Sequence, residues 1–167
     1  MRCILFRHGI AVDREEWRGH ECDRPLTNGG YKKTCQAVEG LAVVSPGITH
    51  ILSSPFVRAL ETAQIIKDVL GLKEKVQTCQ ALVYDHAPLQ MFPILTKFPD
   101  ESYLICVGHE PHLGQLAGLM IAGKCLPGLS LKKAGACAIQ FQVRPIIGAG
   151  LLEWWLKPGQ LRRLSRS

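Results

Sequence analysis

The chain has 167 residues, of which 47 % are hydrophobic and 20 % charged, and its formal net charge is +6. This length suits one globular domain that folds without disulfide or metal staples, and no apolar run is long enough for a membrane span or a secretion signal. We therefore expect a cytoplasmic protein that does not associate with membranes.

The first predicted element is a buried strand, because four apolar residues follow one another at Cys3–Phe6 and Gly9 comes shortly after. In an open parallel sheet, ligands bind beyond the carboxyl ends of the strands, where Arg7 and His8 would lie. A neutral imidazole is a competent nucleophile toward phosphorus, and a guanidinium offers a planar fork to phosphate oxygens. The alternative is a structural histidine beside a surface arginine, and these residues alone do not decide between the two.

A charged segment separates this strand from the first predicted helix. Residues Asp13–Arg24 are polar and indicate a loop beside the strand end. Thr27 is a suitable N-cap, and apolar residues at helical spacing predict a helix that continues to about Val43. A second strand is predicted at 48–53, where a short apolar run follows a proline and glycine turn.

A second helix is predicted over 55–70, because Ser54 and Pro55 resemble a cap followed by proline at the first helical position. Arg58 would then lie in the first turn. Free backbone amides and the helix dipole already favour an anion at that end, so an arginine there suggests an anionic ligand. Simple exposure to solvent is the alternative.

The clearest buried strand of the chain is predicted at 102–107, and it ends just before His109. A helix is expected to follow over 112–122, so this histidine repeats the position of His8 after the first strand. The remaining predicted elements are an edge strand at 76–79, a helix at 89–98 and two strands at 136–143 and 150–156.

Strands alternate with helices along the chain, which predicts an α/β fold, a three-layer α/β/α sandwich with a largely parallel central sheet. One domain over residues 1–157 is expected, followed by a basic tail over 158–167. Four positive charges follow the last apolar segment, at Lys157, Arg162, Arg163 and Arg166. We expect this tail to be solvated, with the docking of an acidic partner as the alternative, and we expect no nucleic-acid binding.

The seven cysteines are odd in number and form no Cys-x-x-Cys pair. Several lie within apolar stretches, among them Cys106 and Cys137. This pattern favours small, reduced and buried thiols. We therefore expect neither disulfides nor a zinc site.

Three predicted strand ends together offer Arg7 with His8, Arg58, and His109, and these residue types suit the transfer of a phosphoryl group. Such a group needs an in-line nucleophile and cationic donors on its equatorial oxygens. Each residue alone has a structural alternative, but their shared position beyond strand ends favours a single phosphate site.

The motifs that carry these residues resemble the histidine phosphatase superfamily. They are LFRHG at residues 5–9, which contains the RHG motif, SSP at 53–55 with RALETA at 58–63, and VGHEP at 107–111. The compact length and RPLT at 24–27 are similar to SixA-type phosphohistidine phosphatases. The resemblance implies a phosphoglycerate-mutase-like fold without a large lid insertion.

The resemblance also implies roles for the site residues. His8 would be the nucleophile that becomes phosphorylated, and Arg7, Arg58 and His109 would form the phosphate pocket without metal or cofactor. His8 must be unprotonated at one nitrogen to attack, whereas His109 helps most as a donor or cation. These opposite demands predict different pKa values for the two histidines.

Many larger members of this superfamily carry a glutamate general acid after the second helix, but residues 81–88 contain none. Asp85 and His86 are the available proton donors there. An imidazole leaving group needs less acid catalysis than an alkoxide, and little chain remains for a lid. We therefore expect a phosphatase of phosphohistidine on a signalling or phosphotransfer protein. The alternatives are a phosphatase of a small phosphomonoester, such as a sugar phosphate or nucleotide, and a non-catalytic phosphate-binding module.

Overall fold

A mixed sheet forms the centre of the computed structural model, which describes residues 1–165. Its strands are β1 (Arg2–Arg7), β2 (His50–Ser53), β3 (Gln77–Thr78), β4 (Tyr103–Gly108), β5 (Ala136–Gln140) and β6 (Leu151–Leu156). They lie in the order β3-β2-β4-β1-β5-β6. The first four pair in parallel, whereas β5 runs antiparallel to both β1 and β6. The prediction of a largely parallel sheet is confirmed.

Helices cover both faces of the sheet. They are α1 (Asn28–Val44), α2 (Val57–Leu70), α3 (Met91–Leu95), α4 (His112–Ala122) and α5 (Pro158–Leu164). The first, second and fifth pack against one face, and the third and fourth against the other. Side chains of β1 alternate accordingly, with Ile4 and Phe6 in one core and Cys3 and Leu5 in the other. The predicted three-layer sandwich is therefore confirmed.

The start of α1 follows the sequence prediction closely. The Thr27 hydroxyl oxygen accepts a hydrogen bond from the Gly30 amide at 2.9 Å, as an N-cap does. Glycine is required at position 30, because a Cβ there would lie 2.0 Å from the carbonyl oxygen of Ile10. This close approach holds the chain that follows β1 against the first turn of α1.

Two predicted helices have different bounds. α2 begins at Val57 rather than Pro55, and Phe56 is its N-cap. The Ser54 hydroxyl, which was expected to cap this helix, lies 2.8 Å from Nε2 of His109. The third helix is shorter than the predicted 89–98. A 3₁₀ turn, Pro88–Gln90, precedes it, and beyond Leu95 the chain continues with hydrogen bonds between residues three apart, from Lys97 to Ile94 and from Phe98 to Leu95.

The carboxyl-terminal segment is not the solvated tail that was predicted. Residues Pro158–Leu164 form α5, and Leu161 is fully buried in the core that α5 shares with α1 and α2. Gly40 permits this contact, since a Cβ there would lie 1.8 Å from the carbonyl oxygen of Leu161. The prediction is therefore wrong through Leu164, because the charges of the segment concealed its apolar anchor. Arg166 lies outside the described residues.

The structure also describes the cysteines and the apolar character of the helices. The buried cysteines include Cys106 and Cys137, and all seven cysteines are free. None of the helices within residues 1–165 combines the length and the apolar character that a membrane crossing requires.

Candidate active site

Neighbouring strands bring the four predicted site residues to one edge of the sheet. Arg7 is the last residue of β1, His109 follows β4, and Arg58 is the second residue of α2, the helix after β2. Because β2, β4 and β1 are adjacent, these residues meet with His8 around one cavity of about 330 Å³. The ring centroids of His8 and His109 are 5.0 Å apart.

His8 presents a neutral imidazole with a defined tautomer. Its Nδ1 lies 2.7 Å from the carbonyl oxygen of Gly9, and a carbonyl only accepts, so Nδ1 carries the hydrogen. Nε2 therefore keeps its lone pair, to which Arg58 Nε donates at 3.4 Å. The pKa of His8 is lowered to about 3, first by burial and further by the charges of Arg58, Arg7 and Lys133, although the Gly9 contact opposes this.

The backbone around His8 is held from several sides. The His8 amide donates to the carbonyl of Gly108 at 3.0 Å, and the Gly9 amide donates to the hydroxyl of Thr62 at 3.0 Å. Glycine is required at position 9, because a Cβ there would lie 2.2 Å from Thr34 Oγ1. Such a fixed backbone restricts the imidazole to one orientation.

Arg58 is 2 % exposed and is held by the charged loop. Its Nη2 lies 3.0 Å from a carboxylate oxygen of Glu21, and its Nη1 donates to the Glu21 carbonyl at 2.9 Å. Arg24 donates to the same carboxylate at 2.8 and 3.1 Å. Arg24 and then Arg58 hold the pKa of Glu21 below its usual value, against the opposing effect of its partial burial. The role of the loop Asp13–Arg24, left open by the sequence, thus includes positioning Arg58.

His109 offers the cavity one free ring nitrogen. Its Nε2 lies 2.8 Å from Ser54 Oγ, which also accepts from the Phe56 amide at 3.4 Å. The Ser54 hydroxyl can donate its hydrogen to Nε2, and the ring hydrogen is then on Nδ1. That nitrogen is buried and has no hydrogen-bond partner within residues 1–165.

The expected difference between the two histidine pKa values is not what the structure favours. The pKa of His109 is lowered to about 2, first by burial and further by nearby cationic groups, among them Arg58 and Arg7. Both imidazoles are therefore neutral near pH 7. Toward an anion in the cavity, a neutral His109 would be an N–H donor rather than a cation.

Arg7 borders the cavity beside two residues that sequence reasoning missed, Glu110 and Lys133. Its Nη1 donates to the carbonyl of Leu131 at 2.7 Å, while its buried Nε has no partner in the described part of the chain. The Glu110 carboxylate accepts from the Leu131 amide at 2.8 Å, and so fixes the loop that holds Arg7. Glu110 could have been predicted from its position directly after His109, whereas no local sequence feature indicates that Lys133 lies at the cavity.

The two predicted proton donors do not reach this site. Asp85 and His86 bond each other at 2.9 Å, with side chains 68 % and 38 % exposed, and neither lines the cavity, whereas Tyr84 does. Within residues 1–165, no group of three or more histidine, cysteine, aspartate or glutamate side chains is arranged to hold a metal ion.

Comparison with known proteins agrees with this geometry. Residues 3–83 match the model of the histidine phosphatase superfamily, branch 1. An uncharacterized protein of Picosynechococcus sp. is 34 % identical over 143 residues, which cover 84 % of this chain and 85 % of that protein. The similarity therefore extends well beyond the first two motifs.

Solved structures share the fold. The protein histidine phosphatase SixA in complex with tungstate superposes with a TM-score of 0.84 at 22 % identity, over 96 % of this chain and 99 % of that chain. The phosphoserine phosphatase of Entamoeba histolytica in complex with phosphoserine gives a TM-score of 0.70 at 17 % identity, over 96 % and 98 %. The chain belongs to the histidine phosphatase superfamily and has the phosphoglycerate-mutase-like fold of SixA.

Proposed function

We propose that the protein hydrolyses phosphohistidine on a signalling or phosphotransfer protein through a phosphorylated His8. The observation that carries this proposal is the neutral His8 imidazole, with its hydrogen fixed on Nδ1 by Gly9. Its Nε2 lone pair attacks phosphorus, and the bond from phosphorus to the substrate imidazole breaks as that imidazole takes up a proton. Water then attacks the phosphoryl group on His8, which releases inorganic phosphate and restores the free lone pair.

The other site residues stabilise the transferred group. Charge on the phosphoryl oxygens is met by Arg7, whose buried Nε has no protein partner among residues 1–165, and by the free Nδ1–H of His109. Arg58 already donates to the attacking nitrogen at 3.4 Å, so its guanidinium is adjacent to the phosphorus during transfer. These donors are in place before substrate arrives, which is the arrangement that stabilises a developing charge most.

A protein substrate is favoured by what surrounds the cavity. The segment between α2 and β4 packs into the core through fully buried Leu82, Met91 and Leu95, so this part of the chain supplies no lid. A histidine on another protein therefore has access. Neither Asp85 nor His86 lines the cavity as a general acid. A phosphohistidine substrate is compatible with this, because the imidazole can take a proton from solvent as it leaves. The similar fold of a protein histidine phosphatase supports this choice.

The second candidate is a phosphatase of a small phosphomonoester with the same mechanism. The cavity of about 330 Å³ is large enough for a small ester, and one structure with the same fold is a phosphoserine phosphatase. A non-catalytic phosphate-binding module is less consistent with the site, because such a module has no use for the free lone pair of His8.

The test is intact mass spectrometry at neutral pH after brief exposure to a chemically phosphorylated histidine peptide, in native protein and in His8→Ala. We expect one added phosphoryl group in the native protein and none in His8→Ala, which should also lose turnover. Replacement of the exposed His20 by alanine is the control and should preserve the adduct. Retained turnover in His8→Ala would overturn the mechanism, and faster turnover of phosphoserine than of the peptide would favour the second candidate.

A further inference from the structure

A second cavity lies beside the catalytic one and shares two of its lining residues, Arg7 and Lys133. Its volume is about 410 Å³. Three more cations line it, Lys33 of α1, Lys132 of the loop before β5, and Arg162 of α5, and no carboxylate lines it in the described part of the chain. We call this cavity the basic cleft, defined by Lys33, Lys132, Lys133 and Arg162.

The fold, rather than local sequence, brings these cations together. The helices that carry Lys33 and Arg162 are held side by side by the buried Leu161. The loop that carries Lys132 and Lys133 is tied to the catalytic strand, because the next amide, that of Ala134, donates to the carbonyls of Arg7 at 3.0 Å and His8 at 3.1 Å. The cleft is therefore fixed relative to His8.

The charges of the cleft have no carboxylate partner in the described part of the chain. Lys33, Lys132 and Arg162 take part in no ion pair among residues 1–165, whereas Arg14, Arg24 and Arg58 on the other side of the catalytic cavity all contact the Glu21 carboxylate. Like charges gathered without counter-charges repel one another and raise the local potential. An anion that enters the cleft relieves this repulsion.

We propose that the basic cleft receives acidic side chains, aspartate or glutamate, that flank the phosphorylated histidine of the protein substrate. This inference rests on the proposed function. Since Arg7 and Lys133 line both cavities, a carboxylate in the cleft lies next to the phosphoryl group in the catalytic cavity. Lys33 and Lys132 are exposed at the rim, so the cleft opens to the surface, where a protein side chain can enter.

The test uses two phosphohistidine peptides of equal length, one with glutamates and one with glutamines beside the phosphorylated residue. At low salt we expect the native protein to show a kcat/KM about ten-fold higher for the glutamate peptide, because charge pairs with Lys33, Lys132 and Arg162 near the surface each contribute modestly. This preference should shrink as salt is added. In the variant K33Q/K132Q/R162Q the preference should disappear, while kcat/KM for the glutamine peptide stays unchanged.

Hydrolysis of p-nitrophenyl phosphate reports whether each variant is folded. Should the triple variant lose that activity, K33Q/K132Q replaces it, because both lysines are exposed and α5 is left intact. Equal kcat/KM for the two peptides in the native protein, or a preference that survives the substitutions, overturns the inference and leaves the proposed function standing. If neither peptide is hydrolysed while p-nitrophenyl phosphate is, the proposed function fails and the inference with it.

Discussion

Three buried histidines should make this fold unstable toward acid. The pKa values of His8, His109 and His112 are lowered to about 3, 2 and 4, and burial is the largest cause for each. In the unfolded chain, the pKa of a histidine is about 6.5. Between these values the unfolded chain binds protons that the folded protein does not, so the free energy of unfolding falls as the pH drops below about 6.5.

The size of this effect follows from linkage. Each such histidine lowers the free energy of unfolding by about 1.4 kcal/mol per pH unit, which amounts to about 2 kcal/mol between pH 7 and pH 5. Three together lower it by roughly 5 to 6 kcal/mol, which approaches the whole stability of an ordinary domain. His112 lies in α4, is fully buried and does not line the catalytic cavity. Its replacement therefore removes the contribution of one histidine while the residues that line the cavity are retained.

Urea titrations of the native protein and of His112→Leu at pH 7, 6 and 5 test this reasoning. The native free energy of unfolding should fall steeply below pH 6, and in His112→Leu the fall between pH 7 and pH 5 should be smaller by about 2 kcal/mol. The exposed His20→Leu variant is the control and should retain the native slope. A native stability that is flat over this range, or an unchanged slope in His112→Leu, would refute it.

Two further substitutions test the site and the correction at the carboxyl terminus. Arg58→Ala should lower kcat/KM for p-nitrophenyl phosphate roughly thirty- to a thousand-fold, which corresponds to a loss of about 2 to 4 kcal/mol of transition-state stabilisation, because a preorganised cationic donor is lost. The exposed Arg163→Ala variant is the control. An equal kcat/KM in Arg58→Ala and the native protein would show that Arg58 does not belong to the site. Gly40→Ala should lower the free energy of unfolding by about 1 to 3 kcal/mol, since the new Cβ meets the Leu161 carbonyl oxygen. Gly29→Ala on the same helix has open space around its Cβ and should not destabilise the protein in urea titrations; equal effects of the two would argue against the packing of α5.

Local pattern predicted most of the fold, and it failed where a distant partner decided the structure. Buried strands such as β1 and β4 and the apolar face of α1 follow from periodicity alone. The start of α2 was misplaced by two residues, and the Ser54 hydroxyl that was expected to cap it contacts His109, which lies 55 residues away. The end of the chain was misjudged for the same reason, since Leu161 packs on a helix whose relevant residue, Gly40, is remote in sequence.

In the site, too, local pattern predicted some residues and missed those that distant contacts position. His8, Arg58 and His109 were predicted together because each follows a strand, and adjacent parallel strands bring their carboxyl ends to one edge of the sheet. Glu21 and Lys133 were missed because they come from loops whose position depends on tertiary contacts. Position in the chain likewise suggested Asp85 as a proton donor, but its side chain pairs with His86 in solvent instead.

Burial of His8 also decides what loss of Arg58 should do to the pH dependence of catalysis. Burial ranks above the charge of Arg58 among the causes that lower the pKa of His8, so that pKa should rise in Arg58→Ala yet stay below its usual value. His8, the proposed nucleophile, then remains mostly neutral from pH 7 to pH 9 in both proteins. We therefore expect kcat/KM of Arg58→Ala to be reduced by the same factor throughout this range, since the lost interaction is with the phosphoryl group. A loss confined to the acidic end would instead show that Arg58 mainly keeps His8 unprotonated.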